Sequence, residues 1–252
     1  FSDYSMDINH LKQIAAETAV GYLQSGMVAG LGTGSTARFA VLKIAQLLRD
    51  GTLKDIVCIP TSKETEALAQ SLSIPLTTLH EHPDIDLTID GADEVSAGLD
   101  MIKGGGGALL REKIVAQAST RNIIITDAGK LSERLGEKWY IPIEIIPFAL
   151  EPEKRFLESL GAAVSIRSAK DGSRFVTDEN NLILDAQFGV LHDPASLAAL
   201  LNDRAGIVEH GLFLGIATEV IAAFPEEVIR FQKGTGSDLY LSKLKRLKDD
   251  QQ

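Results

Sequence analysis

Three short segments of this chain gather residues able to seat a phosphate or move a proton. The first is G-L-G-T-G-S-T-A, Gly30 to Ala37, between an expected strand and an expected helix. Glycines let a backbone turn tightly and approach a ligand. A helix start adds free N–H groups and a partial positive charge, which suit a phosphate. Ser35 is expected to cap that helix, and with Thr36 it adds hydroxyl donors. A ligand-free tight turn is the plainer reading, but three glycines in five residues exceed what a cap needs. Gly32, Gly34 and Ala37 also fit the dinucleotide fingerprint G-x-G-x-x-G/A. That fingerprint wants a carboxylate at the end of the next strand. Here the strand ends Ile59-Pro60-Thr61 without one, and Asp55 sits at its start. A dinucleotide is therefore disfavoured. Thr61, Ser62 and Lys63 again suit a phosphate or a hydroxyl-rich ligand.

The second segment, I-D-G-A-D-E-V, places Asp90, Asp93 and Glu94 at the carboxyl end of a buried strand. Crowded carboxylates repel, which raises at least one pKa and suits acid–base chemistry. A magnesium site and a solvated acidic turn compete with that reading. The third, K-G-G-G-G-A-L-L-R-E-K, runs from Lys103 to Lys113. Four glycines before a helix cost much conformational entropy, which close wrapping around a ligand would offset. Lys103 is expected at the entrance. Glu112 lies near the helix start, where the dipole and the flanking Arg111 and Lys113 favour its ionised form. A flexible linker and an ordinary solvent-facing glutamate are the plainer alternatives. Lys130, in T-D-A-G-K, either reaches the same face or pairs with Asp127. Lys12 on the first helix reads as solvated. His80 and His82 lack further ligands for a metal.

These loops need a frame. From residue 7 to about 138, short apolar strands alternate with amphipathic helices, which predicts a parallel sheet covered on both faces. Its functional loops belong at the carboxyl ends of the strands. From about Trp139 the texture becomes β-rich. Strands are expected at Ile141–Ile146, Ala163–Ile166, Arg174–Thr177, Leu182–Ala186 and Gly206–His210, with helices near Pro152–Leu160 and Pro194–Leu201. Residues 216–222 return to the first sheet. The expected fold is α/β. It has a Rossmann-like domain over residues 1–138 and 216–235 and a smaller α+β, ferredoxin-like domain over 139–215. A tail over 236–252 reads as a frayed, solvated terminus, although its leucines and lysines also fit a basic amphipathic helix.

Composition sets the boundaries of function. The chain has 252 residues, 44% of them hydrophobic, which is enough for a sizeable core. With 25 basic and 35 acidic residues its net charge is −10, a poor balance for generic nucleic-acid binding. An anionic ligand must then be held by local cations and backbone N–H groups. The single cysteine, Cys58, rules out an intrachain disulfide and a cysteine-based zinc cage. No run of 18 apolar residues predicts a membrane span. No signal peptide is visible. The chain opens on Phe1 rather than Met, so a removed targeting segment would leave no trace.

Taken together, the three loops resemble ribose-5-phosphate isomerase, type A, in order and spacing. The likeness continues through I-P-T-S-K-E-T, P-I-E-I-I-P, V-T-D-E-N-N-L-I-L-D and G-I-V-E-H-G-L-F, across about residues 7 to 222. The S-G-M-V-A-G-L-G and E-H-G-L-F-L-G-I-A-T wording resembles plant and cyanobacterial forms. The resemblance implies interconversion of D-ribose 5-phosphate and D-ribulose 5-phosphate, a step of the non-oxidative pentose phosphate pathway, with no metal or organic cofactor. It implies Glu112 as base, Asp90 and Asp93 as acids for ring opening and hydroxyl protons, and Lys103 beside the sugar oxygens. It implies substrate contacts from Thr33, Gly34, Ser35, Thr36, Gly91, Ala92, Gly104, Gly105, Gly106, Lys130 and Lys12. Gly129 departs from the Ser or Thr usual before the last lysine. The tail after Gly234 has no matching family segment. A homodimer or homotetramer is implied, in cytoplasm or, after loss of a transit peptide, plastid stroma. A non-catalytic phosphosugar sensor is the competing reading, although no helix-turn-helix segment precedes residue 7. A nicotinamide dehydrogenase lacks its acidic partner.

Overall fold

The run Asn122 to Thr126 shows how the larger sheet is built. Side chains on a strand alternate faces. Ile123 and Ile125 enter one apolar cluster, and Ile124 enters the opposite one. A strand covered on both faces is apolar where it is covered, and Ile123 to Ile125 form that apolar centre.

In the computed structural model, which describes residues 8–235 and 237–249, the chain begins with α1 (Ile8–Val20), β1 (Val28–Leu31), α2 (Ser35–Arg49) and β2 (Val57–Pro60). Next come α3 (Lys63–Ser71), β3 (Ile85–Gly91), two short strands β4 (Glu94–Val95) and β5 (Met101–Ile102), α4 (Leu109–Gln117) and β6 (Ser119–Asp127). A β-rich stretch contains β7 (Ile141–Ile145), α5 (Leu150–Ser159), β8 (Ala163–Ile166), β9 (Leu182–Gln187), α6 (Pro194–Asn202) and β10 (Ile207–His210). Then follow β11 (Leu212–Phe213), β12 (Glu219–Ala223), β13 (Val228–Gln232) and α7 (Ser237–Asp249).

The main sheet has the order β13-β12-β6-β3-β1-β2, parallel except for β13. The chain leaves β1 for β2 on one side, while β3 lies on the other. A crevice therefore opens at the carboxyl ends of β1 and β3, where such sheets hold ligands. Helices α1 and α2 cover one face with Leu11, Ala15, Val41 and Ile44. The smaller sheet is antiparallel in the order β10-β7-β9-β8. With α5 and α6 this is the βαββαβ arrangement of a ferredoxin-like unit. A third sheet, β11-β5-β4, lies beside the crevice and carries Asp93 and Lys103 at its ends.

Several expectations need correction. Arg174–Thr177 is not a strand: after one bridge between Ser168 and Arg174, Thr177 turns to donate to Glu144 Oε1 at 2.8 Å. Ser35 does not cap α2. The cap position is Gly34, at φ 104°, and no side chain caps the helix. The edge strand β13 was not foreseen, although Ile229 and Phe231 alternate inward along it. The tail is not frayed, because α7 docks on the core through Tyr240, Leu244 and Leu247, one face of a helix. Leu239 and Leu241, also thought part of the apolar stripe, face solvent.

Tyr240 anchors that helix. Its hydroxyl lies 2.5 Å from Val95 O and 3.0 Å from Ser132 O, and accepts from Ser132 N at 3.2 Å. Replacing Tyr240 with Phe strands the buried Ser132 carbonyl, while Ser132 N and Val95 O keep the 2.8 Å bond between them. The expected loss is about 1–3 kcal/mol, read by urea denaturation followed through Trp139 fluorescence. An unchanged midpoint would mean that the contact adds nothing to stability.

Candidate active site

Gly32 brings β1 and β3 together at the floor of the crevice. A Cβ on it would lie 2.2 Å from Asp90 Oδ1, so only glycine allows the approach. Asp90 then accepts from Thr33 N at 3.1 Å and from Gly91 N at 2.7 Å. Its other oxygen lies 3.1 Å from Lys103 Nζ. That ammonium also donates to Gly91 O at 2.5 Å and to Glu112 Oε1 at 3.2 Å. Lys103, Asp90 and Glu112 are all buried, so Lys103 is the floor of the site and not its entrance.

One ammonium thus faces two buried carboxylates, and a single proton is the cheapest way to balance them. Burial raises the Asp90 pKa against the pull of Lys103. Burial pushes Glu112 up to about 8, with Lys103 opposing and Asp90 and Asp93 adding to the rise. Burial works against the Lys103 charge too, but Asp90, Glu112 and Asp93 together hold it above the ordinary lysine value. The expectation that Arg111 and Lys113 favour an ionised Glu112 is wrong. On the helix they point elsewhere: Arg111 pairs with Glu179, and Lys113 pairs with Glu209 and donates to His210 O. Glu112 Oε2 is buried without a hydrogen-bond partner among the described residues.

The uncapped start of α2 stands a short way along the same cleft. Its first-turn N–H groups have no intrahelical partners. Lys12, expected to be solvated, instead donates to Ser35 Oγ at 3.0 Å. Lys130 reaches the cleft rather than Asp127, its ammonium 4.6 Å from the centre of the Trp139 ring. Asp127 accepts from Gly129 N at 2.9 Å and so holds the turn that carries Lys130. Two lysines, two hydroxyls and a helix N-terminus make an anion seat in an otherwise acidic chain.

Opposite that seat lies the glycine loop. Gly105 N donates to Asp93 Oδ2 at 2.7 Å, and a Cβ on Gly105 would lie 2.6 Å from Asp93 Oδ1. Gly104 and Gly107 have φ of 96° and 85°, where L side chains are strained. Every residue that the family resemblance assigns to the site except Asp90 lines this one cleft of about 120 Å³. Asp90 lies just behind, holding Lys103.

Other expectations fail for definite reasons. Glu94 leaves the acidic group: it is buried on the far side, accepting from the N–H groups of Gly136, Lys138 and Trp139. Thr61, Ser62 and Lys63 do not face the cleft. Thr33 Oγ1 lies 2.8 Å from both Thr61 Oγ1 and Ser62 Oγ, so these hydroxyls brace the glycine turn, and Lys63 bonds Asp178. Sequence reasoning missed Arg167, which bonds the glycine loop, and Asp185, which pairs with it. A larger hollow of about 780 Å³ beside α3 and α4 is lined by Leu76, Leu79 and Ile114, and its charged residues, Glu66, Glu81, Arg111 and Glu179, are half-buried or exposed. Among the described residues, no three His, Cys, Asp or Glu side chains are grouped to hold a metal. None of the described helices is long and apolar enough to cross a membrane.

Known proteins match this chain in sequence and fold. The family model described as ribose 5-phosphate isomerase A (phosphoriboisomerase A) matches residues 57–227. The ribose-5-phosphate isomerase A of Desulfatibacillum aliphaticivorans is 58% identical over 84% of this chain and 93% of its own. That of Gloeobacter violaceus is 52% identical over 86% of this chain and 94% of its own. The solved ribose 5-phosphate isomerase of Plasmodium falciparum superposes with a TM-score of 0.87 at 41% identity, covering 90% of this chain and all of that one. A D-ribose-5-phosphate isomerase solved in complex with phospho-erythronic acid gives a TM-score of 0.88 at 36% identity, with the same coverage. On sequence and fold together, the chain belongs to the ribose 5-phosphate isomerase A family.

Proposed function

We propose that this chain interconverts D-ribose 5-phosphate and D-ribulose 5-phosphate by proton transfer through an enediolate. The observation that carries the reading is the buried Lys103–Glu112 pair at 3.2 Å, with the second Glu112 oxygen unpartnered among the described residues, in the cleft that also holds the α2 anion seat. The phosphate takes the α2 N-terminus with Ser35, Thr36, Lys12 and Lys130. The sugar then lies along the glycine loop, with its reactive carbons towards Glu112.

Moving a carbonyl from C1 to C2 needs a proton removed from C2 and one delivered to C1. Ionised Glu112 takes the first; the C2–H electrons form the C1–C2 double bond as the C1 carbonyl electrons move onto oxygen. The same carboxyl returns a proton to C1 while the O2 hydroxyl proton passes to O1, so that the C2 carbonyl forms as the C1–C2 double bond is spent. Lys103 lies beside the developing oxyanion, where a preorganised ammonium is most effective. Both Asp90 oxygens are engaged, so we assign the hydroxyl protons of ring opening to Asp93, which faces the cleft. Asp90 instead fixes Lys103 and the Gly32–Thr33 turn.

The test is incubation with ribose 5-phosphate in the presence of EDTA, following ketose formation. Ketose forms at the rate seen without chelator. Binding without ketose would overturn the proposal and favour a phosphosugar sensor.

A further inference from the structure

We propose that Arg167, which follows β8, is a positioning residue for the glycine loop: it holds the Gly104 and Gly105 carbonyls and so turns the Gly106 N–H into the cleft. The consequence for rate rests on the isomerase reading, while the geometry does not. Arg167 Nη1 donates to Gly104 O at 2.7 Å and to Gly105 O at 3.1 Å. Nε donates to one oxygen of Asp185 on β9 at 3.0 Å, and Nη2 pairs with the other. The Tyr140 and Phe175 rings lie 5.8 and 5.9 Å from the guanidinium carbon. The arginine and aspartate side chains are only 10% and 13% exposed. A planar fork gripped by a carboxylate and flanked by rings has one orientation, which a solvated surface pair lacks.

A run of four glycines has no side chains with which to hold its shape. Phe175 packs at one end, where a Cβ on Gly107 would lie 2.3 Å from the ring. Arg167 fixes the other. In a trans peptide the C=O and the following N–H point in opposite directions, and no peptide of the described chain is cis. With Gly104 O turned to Arg167, Gly105 N–H points to Asp93, as its 2.7 Å bond requires. With Gly105 O turned the same way, Gly106 N–H faces away from the arginine. Gly106 lines the cleft, and its N–H has no partner among the described residues. An amide fixed in advance stabilises a developing oxyanion without reorganising. The smaller sheet contributes no side chain to the cleft wall, so Arg167 is its means of acting on the chemistry.

The test compares Arg167→Met, Arg167→Lys and Asp185→Asn with the unmodified protein in two measurements. One is steady-state kinetics on ribose 5-phosphate across pH. The other is calorimetric affinity for phospho-erythronic acid, the compound in the related solved complex. Arg167→Met lowers kcat/KM by roughly 10- to 100-fold, the scale of a small misplacement in a site. It also weakens phospho-erythronic acid binding, and it leaves the shape of the pH profile unchanged, because the Lys103–Glu112 pair is intact. Arg167→Lys recovers only part, since one ammonium cannot span Asp185 and two carbonyls. Asp185→Asn, which loosens the fork while keeping the arginine, gives a smaller loss and serves if Arg167→Met does not fold. Unchanged kinetics and affinity in folded variants would overturn the proposal, as would a fall in folded fraction that accounts for the whole loss. If the unmodified protein binds phospho-erythronic acid but makes no ketose, the isomerase reading fails, and the affinity comparison still decides the role of Arg167.

Discussion

Glu112→Gln lowers turnover of ribose 5-phosphate by roughly 10²–10⁴-fold, the range for loss of a general base, with little change in affinity for phospho-erythronic acid. Glutamine keeps the size of the side chain and can still accept from Lys103 through its amide oxygen. What it cannot do is take a proton. A structural glutamate would give a different result: turnover and folded fraction would fall together. Equal loss of ligand affinity and turnover would also sink the assignment, because the anion seat does not involve Glu112.

The same substitution has a signature in stability, with a definite sign. Folding pushes Glu112 up to about 8, mainly through burial, whereas in an unfolded chain it titrates near the ordinary glutamate value of about 4.3. The protonated form is the one the fold favours. Its contribution to stability is whole below the unfolded value and is lost as pH rises through the folded one. A neutral glutamine is spared that loss, so Glu112→Gln melts higher than the unmodified protein at pH 9 and about level with it at pH 4–5. In the unmodified enzyme, kcat/KM climbs with pH to an apparent pKa near 8, belonging to the coupled Asp90–Lys103–Glu112 group. Melting curves with the opposite order at pH 9 would show that Glu112 is carried ionised in the folded protein.

Much of this was legible in the sequence because glycines and charged residues at strand ends have few other uses. Gly32 must be glycine for Asp90 to sit against it, and the four glycines before α4 pack too closely for side chains at Gly104, Gly105 and Gly107. The errors share a cause, since spacing along the chain does not say which way a side chain points. Glu94 is next to Asp93, yet β4 turns it to the opposite side, where three N–H groups neutralise it. Arg111 and Lys113 flank Glu112 in sequence but lie about 100° away around the helix, each with its own acid. Arg167 was invisible: an arginine after a strand carries no motif, and its two targets are main-chain carbonyls over sixty residues away in the chain. The tail was misread because its leucines drew attention, while Tyr240, a single aromatic, provides the anchor.

Lys103→Met is expected to be the most damaging substitution in the site, through two separable effects. Loss of the ammonium beside the oxyanion costs about 10²–10³-fold in kcat, as for other preorganised charge donors. Its removal also leaves Asp90 and Glu112 buried without their shared counter-charge, a break that costs about 3–5 kcal/mol in comparable buried pairs. The stability cost must depend on pH. Without Lys103 both carboxyls titrate higher still in the folded chain, so the penalty grows as pH rises and shrinks when both are protonated. Melting temperatures of Lys103→Met and the unmodified protein should thus converge towards pH 5 and diverge by pH 8. A deficit independent of pH would mean that the lysine serves packing against Phe213, 5.5 Å away, and not charge. The double variant Lys103→Met/Glu112→Gln separates the two effects. It has one buried carboxylate fewer to leave unpaired, so at pH 8 it should be more stable than Lys103→Met alone. Additive melting shifts would refute the shared ammonium, because groups within hydrogen-bond distance of one charge cannot contribute independently.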